Sequence, residues 1–127
     1  MLKVTPAGAI SVIAGGGSKK AAVALPATSV DIGNPQALAF DGSGNLLIGT
    51  WTHVFRVAPS GSLAVVAGSS NNTGKGGDGG PAIAARLNNP EGLAVDPSGT
   101  IFIADTGNAE LRWIGKDGNI ANLLGPA

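Results

Sequence analysis

Between residues 89 and 124, short apolar runs alternate with small polar clusters. The runs are "GLAV" (92–95), "TIFIA" (100–104), "ELRWI" (110–114) and "NIANLL" (119–124), and Asp-Pro-Ser-Gly, Thr-Gly-Asn and Lys-Asp-Gly separate them. Runs this short with turn residues between them predict four strands joined tightly, an antiparallel meander. The stretch before them, "PAIAARL" (81–87), lacks β-branched alternation and carries good helix formers, so a short helical turn is expected there.

The same pattern occurs earlier in the chain. Set above "NPEGLAVDPSGTIFIAD" (89–105), "NPQALAFDGSGNLLIGT" (34–50) is identical at eight of 17 positions, at an offset of 55. "HVFRVAPSGSLAVVAG" (53–68) then meets "ELRWIGKDGNIANLLG" (110–125) at an offset of 57, and "LKVTPAGAISVIAG" (2–15) copies 55–68 at an offset of 53. Even the connectors "LPATSVDIGNP" and "GPAIAARLNNP" correspond. A unit of about 55 residues with four strands is the signature of a β-propeller blade, which buries its faces only against neighbours like itself. The chain then divides into a partial blade (1–15), a linker with a blade (16–68) and a second linker with a blade (69–125). The fold class expected is all-β: propeller blades of four antiparallel strands, two of them complete, with strands c and d of another. These ten strands leave the ring incomplete.

"NPEGLAVDPSGTIFIADTGNAELRWI" resembles an NHL repeat, whose pattern is Pro-x-Gly-Leu-Ala-Val-Asp, Gly-x-Ile-aromatic-Ile-Ala-Asp-Thr-x-Asn and an apolar-Arg strand. The linker "GDGGPAIAARLNNP" resembles those between bacterial NHL repeats. The copy at 34–57 departs from the pattern: Ala37 replaces glycine, and "GTWTHV" replaces Ala-Asp-Thr-x-Asn. The resemblance implies a propeller, usually of six blades, but no single activity, since such propellers include binding modules, lyases and lactonases. With strands named a to d from the channel outward, the d-to-a linkers and the b-to-c hairpins are expected on one face. That face would hold 16–33, 69–88, 51–53 and 106–110, and ligands of propellers usually sit there. The candidates on it are Trp51, His53, Lys75, Asp78, Asn108 and Glu110.

Composition narrows the chemistry. Eight basic residues balance eight acidic ones, so no nucleic-acid or membrane partner is expected, although some animal NHL propellers bind RNA. Cysteine is absent, which removes disulfides and thiolate metal sites. The N-terminal stretch is a poor signal peptide, broken by Pro6 and Gly8, and it leaves cytoplasmic and secreted locations open. "GKGGDGGP" (74–81) lacks the hydroxyl that must follow the lysine of a phosphate loop and the tandem Gly-Gly-x-Gly-x-Asp of calcium rolls, so it is read as an ordered linker. Asp105 and Asn108 are read as hairpin-shaping, and Asp41 and Asp96, recurring at one turn, as turn residues rather than a catalytic pair. His53 is the only histidine, whereas zinc-binding NHL lyases use several, and no Ser-His-Asp set stands out.

The functional expectation is therefore a non-catalytic interaction module without cofactor, metal or catalytic residues. It would bind a protein or small-molecule ligand on its linker face, and close its ring by self-assembly or within a longer chain. "KKAAVAL" (19–25) is a candidate for a substitute strand in such a ring. The alternative is a fragment of a propeller lyase or hydrolase whose catalytic residues lie in absent blades.

Overall fold

The computed structural model describes residues 2–4, 10–12, 14–15, 25–26, 28, 32–69 and 73–124. The first pair of strands, β1 (Leu2–Val4) and β2 (Ile10–Val12), is antiparallel. The first complete blade contains β4 (Ala37–Phe40), β5 (Leu46–Gly49), β6 (Val54–Val57) and β7 (Ser62–Ala67), hydrogen-bonded in that order. The second contains β8 (Pro90–Val95), β9 (Ile101–Asp105), β10 (Glu110–Ile114) and β11 (Ile120–Leu124). These are strands a to d of two propeller blades, and β1 and β2 are strands c and d of a third. Among the described residues the strands form an incomplete ring.

The tight turns follow from side chains that fold back on the backbone. Asp41 Oδ1 accepts the N–H groups of Ser43 and Asn45, both at 2.9 Å. Asp96 Oδ1 accepts those of Ser98 (3.0 Å) and Thr100 (2.9 Å). Each aspartate thus satisfies donors that the a-to-b turn would otherwise leave unpaired.

A fifth, two-residue strand, β3 (Leu25–Pro26), lies outside β7, pairing Leu25 with Leu63 and Pro26 with Ser62. The second blade repeats the contact as a single bridge from Pro81 to Asn119. Each linker therefore pairs with the outer strand of the blade that follows it, which covers part of an edge that would otherwise be open. Leu25 lies on this outer edge; residues 19–24 of the candidate substitute strand are outside the described residues. The helical turn expected in 81–87 is a 3-10 turn over Ala82–Ala84.

Strand alternation gives each blade two apolar faces. One face of the first blade carries Leu46, Ile48, Phe55, Val57 and Leu63, buried together with Ala14 and Ile32 from the partial blade and its linker. The opposite face carries Leu47, Val54 and Ala67, which pack on Ile101, Ile103, Ile114 and Ile120 of the second blade. Ala82, Ala85 and Leu87 of the intervening linker fill the same core. The packing is tight at the inner end: a Cβ on Gly49 would lie 3.2 Å from the Pro90 carbonyl oxygen.

Candidate functional site

The linker between the complete blades is a folded-back hairpin. Gly74 N–H donates to the Leu87 carbonyl (3.0 Å), and Arg86 N–H to that of Gly76 (3.2 Å). Its two arms cross so closely that a Cβ on Gly77 would lie 2.6 Å from Ala85 Cα, and Gly77 has φ +92°. Only glycine combines that approach with that backbone angle.

This linker meets the b-to-c hairpins as the repeat geometry predicts. Asn108 Nδ2 donates to the Gly74 carbonyl and to Asp105 Oδ2, both at 2.8 Å. Asp105 Oδ1 accepts Asn88 N–H at 2.8 Å, and Gly107 N–H donates to the Asn88 carbonyl at 2.7 Å. The hairpin of the first blade joins through Asn89, whose N–H donates to the Trp51 carbonyl at 2.8 Å. One part of the linker departs from the expected face. Gly79, Gly80 and Ala82 hydrogen-bond with Gly118 and Ile120, beside the c-to-d turn at the other end of the blade. The unpaired backbone groups at the start of β11 draw it there.

Arg112 ties the arrangement together. Its side chain is wholly buried between the blades. Nε donates to Asp78 Oδ1 at 3.0 Å, and Nη2 lies 2.9 Å from the same oxygen. Nη1 donates to Asp105 Oδ2 (3.2 Å) and the Arg86 carbonyl (2.7 Å), and Nη2 to the Gly76 carbonyl (2.8 Å). Glu110 Oε2 is 3.7 Å from Nε, and Glu110 Oε1 is 3.3 Å from Lys75 Nζ. A rigid guanidinium fork suits such a cluster of carboxylates and carbonyls, because its five N–H donors point in fixed directions and can meet several acceptors at once.

Residues 69–127 match the family model of the teneurin NHL domain. Over these residues the chain carries the NHL-repeat pattern. It is similar to mouse (Mus musculus) teneurin-1, 32% identical over 87 residues, an alignment covering 57% of this chain and 3% of that protein. To human (Homo sapiens) teneurin-1 it is 42% identical over 57 residues, covering 40% of this chain and 2% of that protein. The chicken (Gallus gallus) protein is 30% identical over 87 residues. The chain thus spans about 3% or less of the length of the curated relatives it matches. These relatives are animal proteins, which goes against the bacterial type that the linker resembles.

Within this NHL framework the six sequence candidates fall into three groups. Lys75, Asp78, Asn108 and Glu110 belong to the network that holds the linker to the second blade. His53 is half-buried, stacked on Phe55 with ring centroids 5.3 Å apart, and its Nδ1 is 2.7 Å from Thr52 Oγ1. Burial pushes its pKa below the ordinary imidazole value. Trp51 alone presents a large exposed apolar surface, with its side chain on the hairpin and its backbone held by Asn89. Among the described residues, no three His, Asp or Glu side chains are arranged to hold a metal ion.

Sequence reading passed over Arg112 as the centre of this network. The signal was present: in "ELRWI", alternation puts Glu110 and Arg112 on the face of Ile114, and opposite Trp113. Two opposite charges on a core-facing side imply a buried ionic contact, although not its partners 34 and 36 residues away, Asp78 and Gly76.

Proposed function

We propose that the chain is a non-catalytic NHL interaction module that takes a protein or small-molecule ligand on its linker face, with Trp51 as the anchor. In this reading residues 1–127 act as one unit, made of 1–15, 16–68 and 69–125, and further blades continue its stack. The observation that carries the reading is the contrast between Trp51 and its neighbours. Lys75, Asp78, Asn108 and Glu110 hold the linker, whereas Trp51 is 53% exposed on a backbone fixed at the seam between blades. An indole on a pre-ordered mount offers a large contact area at little entropic cost, with one N–H for orientation.

Selection of peptides from a displayed library against the intact chain, followed by titration against Trp51→Ala, tests this. The selected peptides should bind the variant at least about tenfold more weakly, the range of an interface anchor. The melting temperature should hold, because the ring is already exposed. Peptides that bind the variant as well as the parent would refute the linker-face assignment.

A further inference from the structure

Comparison of the two repeats singles out a second exposed group beside Trp51. Residues that shape the blade recur at the offset of 55, as Asp41 and Asp96 do. Trp51 and Glu91 do not recur: the matching positions hold Thr106 and Gln36. The two departures belong to different blades, yet they meet at one seam, and Asn89 joins them. Its N–H donates to the Trp51 carbonyl, and its Nδ2 donates to Glu91 Oε1, both at 2.8 Å.

The backbone here leaves regular geometry twice within three residues. Asn89 has φ +58°, in the left-handed region that asparagine tolerates better than most side chains. The register of β8 against β9 shifts between Pro90 and Gly92, so Glu91 is the extra residue of a β-bulge. A bulge re-aims a side chain, and such departures gather at binding sites. Here they set an exposed carboxylate beside the hairpin that carries the exposed indole. Asn89 engages one carboxylate oxygen of Glu91 and leaves the other to solvent. Among the described residues no lysine or arginine forms an ion pair with Glu91; the paired cations are Arg56, Lys75 and Arg112.

We propose that Trp51 and Glu91 form a subsite for a basic side chain, the lysine or arginine of a bound peptide. This names the ligand chemistry of the linker-face reading and rests on that reading. The cation lies over the indole face, where the ring quadrupole attracts it, and Glu91 supplies the opposite charge. The aliphatic stem of the same side chain covers apolar ring area. An exposed ion pair or an exposed cation–π contact alone changes affinity only a few-fold, but here both act on one cation. Asn89 acts through the other two: one residue fixes the hairpin and the carboxylate together. An anionic ligand is disfavoured, because Glu91 repels it.

The probes are pools of dye-labelled random peptides, identical except for a fixed central lysine, arginine, norleucine or glutamate. Each is titrated with the intact chain by fluorescence anisotropy. The lysine and arginine pools should bind about three- to thirtyfold more tightly than the norleucine pool, the range of one exposed ion pair plus one cation–π contact. The glutamate pool should bind most weakly. Glu91→Gln should cut the basic preference at least about twofold and make it less sensitive to salt. Glu91 is exposed, so this variant should fold. Asn89→Gly keeps the left-handed backbone and removes the amide; it should reduce the preference with no matching fall in melting temperature. Asp117→Asn removes the same charge from the c-to-d turn, at the other end of the blade, and should leave the preference intact. Equal binding of the lysine, arginine and norleucine pools overturns the proposal, as does a preference undiminished in Glu91→Gln or equally diminished in Asp117→Asn. In any of those cases a loss of all binding strength in Trp51→Ala would still uphold the linker-face reading. Binding untouched by Trp51→Ala sinks both, and no saturable binding by any pool overturns the subsite.

Discussion

Replacing Arg112 with methionine should be among the most damaging single changes in this chain, and the structure sets its size. Methionine keeps much of the length of the side chain and so limits cavity formation. What it removes is the positive charge opposite Asp105 and Glu110, whose side chains are 0% and 1% exposed. Stripping one partner from a buried ion pair costs about 3–5 kcal/mol. The carbonyls of Arg86 and Gly76 lose their donors as well, at about 1–3 kcal/mol each if they stay dry. Those costs do not add, because the linker can shift and admit water, and Asp78 is exposed enough to rehydrate. A net loss of about 4–5 kcal/mol is expected, a large part of the 5–15 kcal/mol that holds a typical domain. Urea unfolding followed by the fluorescence of Trp51 and Trp113 and by far-ultraviolet circular dichroism measures it. The repeat supplies its own control. Where the second blade has Asp105, Glu110 and Arg112, the first has Thr50, His53 and Phe55, with the Phe55 and Thr50 side chains buried. The triple variant Asp105→Thr, Glu110→His, Arg112→Phe should therefore recover most of the loss, to within about 2 kcal/mol of the parent, since no buried charge is stranded. A loss below about 1 kcal/mol for Arg112→Met, well short of the buried-pair range, would refute the role of the network. So would a triple variant no more stable than the single one.

Other outcomes follow from local geometry and titration. Gly68→Ala should cost more than Gly79→Ala in thermal unfolding: both have positive φ (+101° and +87°), but only at Gly68 would the new Cβ run into Thr52 O and His53. The open site should cost about 1–2 kcal/mol, the ordinary strain of a left-handed residue. For His53, burial lowers the folded-state pKa, so the unfolded chain binds its proton first. Its stability contribution is then complete above the unfolded value of about 6.5 and is lost as pH falls from there through the folded value; His53→Gln should flatten melting temperature against pH in that window. Asp96 is held low by hydrogen bonds from Ser98 first, outweighing a small burial effect, and then by those from Thr100 and Gly99. Its contribution is present above the ordinary carboxylate value of about 3.9 and fades as pH drops below it; carboxyl-carbon NMR titration should show a midpoint beneath that of an Asp in an unstructured peptide.

Much of the fold is legible because each strand and turn is specified by residues close in sequence. The Asp-x-Ser-Gly turns at Asp41 and Asp96 close on their own next four residues. The offset of 55 states the rest: two segments with one pattern must bury the same faces. The site was harder to read because its contacts are distant in sequence. Asn108 looked like a hairpin residue, and it is one through Asp105, but its other bond goes to Gly74, across the linker. Lys75 and Asp78 are ligand-face candidates on an ordered linker in the sequence, whereas the fold carries that linker over the end of a strand, where they pair with Glu110 and Arg112.

Comparing the two repeats, rather than scanning each for motifs, would have exposed the network. From the first blade to the second, Thr50 becomes Asp105, His53 becomes Glu110 and Phe55 becomes Arg112, all within one strand–turn–strand unit. Three charges enter together at three core-facing positions. A buried carboxylate without its cation is costly, and so is the reverse, so charges that enter a core as a set are restrained by one another. Phe55 makes the same point from the apolar side: with no cation, its blade has no carboxylate at Thr50, and an aromatic stack with His53 fills the space instead. One backbone frame thus accepts either an ionic or an aromatic filling, and the frame, not the filling, is what the repeat preserves.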